Sequence, residues 1–348
     1  MLKSFLSLTL GALISCAVFA EGKLVFAIDI VRHGDRTPLI DSPTMQKIWP
    51  QGLGQLTPKG MHQEYELGKK LRDYYVNRTH LLTAQYDTNT MNVRSSDMPR
   101  TLMSTQSILF GLYPLGSGPT LNSITPALPE GFQPIPIHTV PREQDSLLLP
   151  NYDKEKYKQL LETYVFNDPE WIQKDAQLKP FYAKWSKIAG YPITNLFELL
   201  HFNDRLFIEG LYGIPLSEGI SEKEADLILE SGKWTLLQME NNLSWASTVG
   251  RELATTIQHE INLAVEHKQP FKYILFVAHD TTIAAQLRLL GQQLTDLPPY
   301  AAQLHYELWE MGASNYEVKV TYLHEPLWID ACGDYTCSPS KFENQLSK

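Results

Sequence analysis

The segment Lys23 to Pro38, KLVFAIDIVRHGDRTP, carries the densest chemistry in the chain. An apolar run ends abruptly in Arg32, His33, Gly34, Asp35 and Arg36. Guanidinium is planar, permanently charged and matched to phosphate oxygens, so two of them beside an imidazole predict a phosphate site with a histidine at its centre. The two cations depress the imidazole pKa and keep it neutral, which is its nucleophilic form. Gly34 allows a sharp turn and Pro38 stops the segment. The plain alternative makes His33 a hydrogen-bonded turn residue and pairs Arg36 with Asp35 on the surface, where an ion pair contributes little.

Two more clusters weigh against that alternative. Arg94 stands in MNVRSSD, and His279-Asp280 follows FKYILFVA. Taken singly, Arg94 is an ordinary helix-entry residue and Asp280 an N-cap. Together the clusters fit phosphoryl transfer, which needs fixed donors around dispersed negative charge and a proton for the departing oxygen. Arg32, Arg36 and Arg94 supply donors, with His279 as a further one. His33 can attack phosphorus in line, and Asp280 can protonate the leaving alcohol and then assist water. That role requires a protonated carboxyl and so an acidic working pH. No metal or other cofactor is called for, because three guanidiniums provide the charge stabilisation that a divalent ion would give.

The elements that must hold these residues follow from periodicity. Lys23 to Val31 reads as a strand covered on both faces. A Pro/Gly-rich loop spans Asp41 to Pro58, with Thr57 as N-cap and Pro58 opening a helix toward Tyr75. Met91 to Val93 is a short strand, and an amphipathic helix follows through Phe110 with Leu102, Ile108 and Leu109 inward. A further strand is expected near Ile135 to Val140. Residues 153–240 show helical spacing with no clear strand. Ser244 to His267 reads as one long helix, Phe271 to Ala278 as a second buried strand, and Thr281 to Leu290 as the helix after it. Gln303 to Met311 and Tyr316 to Leu323 alternate like an antiparallel hairpin. The fold class is therefore α/β: a core sheet flanked by helices, built from 21–152 and 241–348, with an inserted helical cap at 153–240. In open α/β sheets ligands bind beyond the carboxyl ends of strands, so one rim can gather all three clusters.

At 348 residues, with 43% hydrophobic and 20% charged residues, the chain has the composition of a soluble globular protein. Its net charge of −9 disfavours nucleic acid and anionic membranes as partners. A local arginine cluster still outweighs distant, screened surface charge. Residues 1–20 read as a signal peptide: Lys3 is a positive start, Phe5 to Phe19 is apolar, and Val18-Phe19-Ala20 offers small residues before Glu21. That run is short for a membrane span. A second reading of Leu13-Ile14-Ser15-Cys16 is lipoprotein processing, with Cys16 as the anchor. Either way the mature protein leaves the cytoplasm. Of the three cysteines, Cys332 and Cys337 remain, bracketing CGDYTC. In an oxidising compartment a local disulfide is favoured, a staple of about 2 kcal/mol. A metal site at this pair lacks further Cys or His ligands.

The runs RHGDRTP, VRSSDMPRTLMS and HDTT, with WPQGLGQLTPKGMHQEYELGKKLR and LPPYAAQLHYEL, resemble the histidine acid phosphatase branch of the histidine phosphatase superfamily. The resemblance covers nearly all of the mature chain. It implies a phosphoglycerate-mutase-like core with a helical cap, a phosphohistidine intermediate and hydrolysis of phosphate monoesters. It makes His33 the nucleophile and Asp280 the proton donor, and it places Arg32, Arg36, Arg94 and His279 on the substrate phosphate. Relatives often form homodimers. Animal members usually carry several disulfides, so the single Cys332–Cys337 pair points to a bacterial exported member, secreted or periplasmic. The phytase branch tends to have Asn after HDT, where this chain has Thr282, which favours an acid phosphatase of broad specificity. The alternatives are a phytase or sugar phosphatase on the same scaffold, and a catalytically silent phosphate-binding relative.

Overall fold

The computed structural model describes residues 22–40, 48–149, 152–312 and 315–346. The signal-peptide and Cys16 readings lie outside these residues. Strand β1 (Lys23–Arg32) is the spine. Its even residues Phe26, Ile28 and Ile30 enter one apolar cluster, while Ala27 and Val31 enter another on the opposite face. A strand covered on both faces needs the near-continuous apolar run seen in the sequence. Helix α1 (Pro58–Leu71) starts as read, with the Thr57 hydroxyl accepting from the Gly60 N–H at 3.0 Å. Arg72–Arg78 then continues it with π-helical turns.

Strand β2 (Met91–Ser95) leads to α2 (Pro99–Leu112), which packs with α1 on the second cluster. Leu102 is only half-buried, unlike Ile108 and Leu109. The expected strand at Ile135 to Val140 does not form; an isolated bridge joins His138 to Arg94. Pro134, Pro136 and Pro141 crowd this segment and remove the N–H donors a ladder needs.

Four α-helices follow: α3 (Lys154–Leu161), α4 (Pro169–Ala189), α5 (Leu196–Leu211) and α6 (Glu222–Glu240). They bury their own cluster around Trp171, Trp185, Leu199, Phe202 and Ile228. The long helix read at Ser244 to His267 is two, α7 (Leu243–Val249) and α8 (Arg251–Val265), separated at Gly250. A Cβ at Gly250 would lie 3.0 Å from the Ala285 side chain, so the break sits where two helices approach closely.

Strand β3 (Tyr273–Ala278) is buried throughout and runs into α9 (Asp280–Leu289). Then come β4 (Gln303–Glu310) and β5 (Tyr316–Tyr322), the expected hairpin. Two short strands, β6 (Glu325–Pro326) and β7 (Thr336–Cys337), and α10 (Pro339–Leu346) complete the described chain. The sheet order is β2-β3-β1-β4-β5-β6, with β7 also on β5. β1 and β2 pair parallel to β3, and β4 pairs antiparallel to β1. A disulfide joins Cys332 to Cys337, tying the loop before β7. The parallel trio β2-β3-β1 places the ends of all three strands on one rim.

Candidate active site

The residues after β1 and β3 are stitched together by the backbone. The His33 N–H donates to the Ala278 carbonyl at 3.1 Å, which fixes the RHGDR turn beside His279. The His33 ring is buried, with Nδ1 2.8 Å from the Gly34 carbonyl. A carbonyl only accepts, so Nδ1 carries the proton and Nε2 keeps the lone pair. Burial, followed by the charges of Arg100, Arg32, His279 and Arg36, holds the ring's pKa well below the usual histidine value. Neutral and with a free Nε2, it is the form a nucleophile needs. Gly34 is required for a reason other than turning. Its backbone is not left-handed, but a Cβ there would sit 2.5 Å from the Gly60 carbonyl oxygen in the first turn of α1.

Arg32 donates to the Pro298 carbonyl at 2.5 Å and pairs with Asp280 at 2.7 Å. Its guanidinium lies 4.4 Å over the Tyr300 ring. Arg36 does not pair with its neighbour Asp35. It forks onto Asp204 of α5, with N–O distances of 2.8 and 3.0 Å. Two parallel charge-assisted bonds fix the plane of the guanidinium, which a single contact would not. Asp35 is instead fully buried, accepting from the Thr57 hydroxyl at 2.7 Å and from the Tyr212 hydroxyl just beyond α5. Helix α5 and the residue just beyond it therefore reach the RHGDR turn twice, through Asp204 and Tyr212.

The His279 and His33 rings meet edge to face with centroids 5.5 Å apart. His279 Nδ1 is 3.4 Å from an Arg100 nitrogen, and Nε2 is 3.0 Å from the Ser96 hydroxyl. Arginine only donates, so Nδ1 holds the lone pair and Nε2 the proton. The Thr101 hydroxyl gives its own proton to the Ser96 or Met98 carbonyl, leaving its oxygen to accept from Ser96 at 2.9 Å. Burial and Arg100 push the His279 pKa down, with Asp280 opposing. Asp280 starts α9 and accepts from the Thr281 N–H at 2.9 Å. Burial opposes its ionisation, but Arg32, Arg36 and His279 outweigh it and lower the pKa.

Five of the six sequence-predicted site residues thus meet: Arg32, His33, Arg36, His279 and Asp280. Arg94 does not join them. It lies within β2 rather than beyond its end, and its guanidinium closes on the buried carboxylate of Asp145 at 2.6 Å. The Leu148 N–H donates to the same carboxylate oxygen at 3.2 Å. The third guanidinium at the site is Arg100, in the first turn of α2. It dominates the charge felt by both histidines, and burial together with Arg36 pushes its own pKa down to about 10. Arg100 stands in the quoted run VRSSDMPRTLMS, where a second arginine six residues after Arg94 was the available signal. Among the described residues no group of His, Cys, Asp and Glu could hold a metal ion, and no helix is long and apolar enough to cross a membrane.

A family model described as histidine phosphatase superfamily (branch 2) matches residues 23–209. Prostatic acid phosphatase of Bos taurus is 32% identical over 335 residues, covering 92% of this chain and 84% of its own. The chain belongs to the histidine phosphatase superfamily, branch 2. Lysosomal acid phosphatase of Bos taurus is 30% identical, with 89% of this chain and 74% of the relative covered. Among solved structures, the apo phytase of Hafnia alvei aligns with a TM-score of 0.64 over 94% of this chain and 97% of its own, at 18% identity. Klebsiella sp ASR1 phytase gives 0.64 at 17% identity, covering 93% and 94%. At that identity the likeness establishes the fold: the mixed sheet flanked by helices is that of a histidine phosphatase.

Proposed function

We propose that this histidine phosphatase is an acid phosphatase that hydrolyses phosphate monoesters by double displacement at His33. The observation that carries the reading is a buried imidazole whose Nδ1 is committed to the Gly34 carbonyl, leaving Nε2 the lone pair, with the charges of Arg100, Arg32 and Arg36 around it and Asp280 beside Arg32. The substrate phosphoryl group takes the three guanidiniums as donors, while the single N–H of His279 stays on the Ser96 hydroxyl and its Nδ1 lone pair steadies Arg100. The His33 Nε2 lone pair attacks phosphorus, the bond to the ester oxygen breaks, and that oxygen takes the Asp280 proton. Water then attacks the phosphohistidine and returns a proton to Asp280. The P–N bond breaks, and neutral His33 and inorganic phosphate are regenerated.

In the free site Asp280 is ionised against Arg32. A bound phosphate draws Arg32 toward itself and raises the proton affinity of the carboxyl. The proton arrives with the monoanionic substrate, which prevails at acidic pH. Substrate range follows the broad acid phosphatase reading rather than the phytase one. Thr282 commits its hydroxyl proton to the Leu148 carbonyl at 3.1 Å. A silent relative would not keep both His33 and Asp280 in this arrangement. Residues 153–240 act as a cap on a core of 21–152 and 241–348, with Asp204 and Tyr212 as its inward contacts. Residues 1–20 direct export, consistent with the disulfide, and make the secreted or periplasmic space the site of action.

Asp280→Asn tests the proton role. Turnover of alkyl phosphates should fall far more than turnover of activated aryl phosphates, which leave without a proton. Equal losses on both would remove Asp280 from that role.

A further inference from the structure

We propose that Gln63 is a positioning residue for the nucleophile, acting on His33 through the peptide that links Gly34 to Asp35. Two observations on one peptide unit, and a third on its neighbour, carry this. Its carbonyl accepts from His33 Nδ1 at 2.8 Å, and its N–H donates to the Gln63 side-chain oxygen at 2.8 Å. The preceding peptide, at the Gly34 N–H, is held separately by the Ser104 hydroxyl at 3.1 Å. The result is a continuous chain from imidazole N–H through C=O and N–H to the carboxamide oxygen.

A peptide whose N–H is bonded to a strong acceptor is a better acceptor at its own carbonyl, because chained hydrogen bonds polarise one another. The group behind a histidine sets which ring nitrogen carries the proton. Here that setting decides whether Nε2 holds a lone pair or a hydrogen. Gln63 sits half-buried one residue before the fully buried Glu64, so α1 delivers it to the underside of the turn. Gly60 allows the approach: a Cβ there would collide with the Asp35 carbonyl oxygen at 2.2 Å. The neighbouring contacts on Asp35, from Thr57 and Tyr212, fall on its carboxylate and its own carbonyl and leave its N–H to Gln63. Gln63 bonds the Asp35 N–H, so its influence on the imidazole passes through the backbone.

The inference rests on His33 as the nucleophile, so the experiment separates the two. His33→Ala tests the nucleophile directly. Gln63→Leu, and Gln63→Met as a second near-isosteric variant should Leu fail to fold, remove the acceptor. Gln63→Glu keeps an oxygen in place. Steady-state kinetics are paired with nitrogen NMR of the His33 ring, which distinguishes the two neutral tautomers. Expected for Leu or Met is a fall of about 10- to 100-fold in kcat with KM changed little, the size of loss found when the hydrogen-bond partner behind a metal-bound histidine is removed. The ring should shift measurably toward the Nε2–H form, and Glu should restore most of kcat and the Nδ1–H form. Unchanged tautomer and kcat in a folded Leu or Met variant, while His33→Ala is inactive, would overturn the role of Gln63 and leave the nucleophile standing. An active His33→Ala would instead remove the foundation of both.

Discussion

Asp204→Ala is the most informative single change, because it separates the hold of α5 on Arg36 from the substrate's. The Arg36 side chain is 8% exposed and that of Asp204 18%, and both nitrogens of the fork are engaged. A unit charge pair about 4 Å apart at an effective dielectric near 20 interacts by about 4 kcal/mol. Breaking a buried pair costs ~3–5 kcal/mol, since it strands the remaining charge. Partial exposure of Asp204 places this variant at the lower end, about 3 kcal/mol less stable. The Leu39 N–H also loses its acceptor, at 3.1 Å.

The assay is urea denaturation with and without inorganic phosphate. In the parent protein phosphate at 100 times its Kd adds about 2.7 kcal/mol. In the variant the same concentration should add more, because the anion becomes the counter-charge that Arg36 has lost. Turnover should fall, since an unclamped guanidinium no longer presents its fork in one plane. A variant as stable as the parent, or one that gains less from phosphate, would refute the assignment of Arg36 to both partners.

Three further outcomes are expected. Arg94→Met should cost about 3 kcal/mol of stability by stranding the buried carboxylate of Asp145, with KM near the parent value. Arg100→Met should instead raise KM and weaken phosphate inhibition by about tenfold or more, as loss of a charge-assisted bond requires; the reverse pattern in kinetics and denaturation would return Arg94 to the site. His305 pairs with the buried Asp29 at 2.7 Å, and although burial opposes protonation, Asp29 raises its pKa above the ordinary value. Its contribution to stability is then complete below the unfolded pKa of about 6.5 and is lost as pH rises through the folded value, at about 1.4 kcal/mol per unit of difference. His305→Gln should flatten that decline in denaturation midpoints taken from about pH 6 to 9, and an undiminished decline would place its cause elsewhere. Lys70, Arg78, Glu307, His324, Tyr74, Tyr75 and Tyr273 face the same pair, and Glu307, with its own raised pKa, begins its loss lower, above about pH 4.5.

Much of the site was legible because it lies at strand ends. RHGDR and His279-Asp280 follow apolar runs that only buried strands explain, and the rim of a parallel sheet brings such ends together. Arg94 misled for a local reason. A strand read as ending at Val93 continues to Ser95, so its arginine remains on the sheet and meets Asp145, while Arg100 follows six residues later in the first turn of α2. Asp204 and Tyr212 were invisible in sequence because they meet Arg36 and Asp35 from 168 and 177 residues away. Gln63 escaped because its partner is a backbone N–H, which leaves no mark on side-chain pattern. The missing strand at residues 135–140 shows apolar character overruled by prolines that cannot donate.

A phosphoryl group that passes through His33 Nε2 leaves a phosphohistidine that can be trapped. Rapid acid-free quenching of the enzyme turning over an aryl phosphate, followed by peptide mapping, tests for it directly. The expected product is an acid-labile, alkali-stable phosphoryl group on the peptide containing His33, attached at Nε2 and absent from Asp280→Asn with an alkyl phosphate. Label on His279, attachment at Nδ1, or burst kinetics without any phosphohistidine would contradict the account.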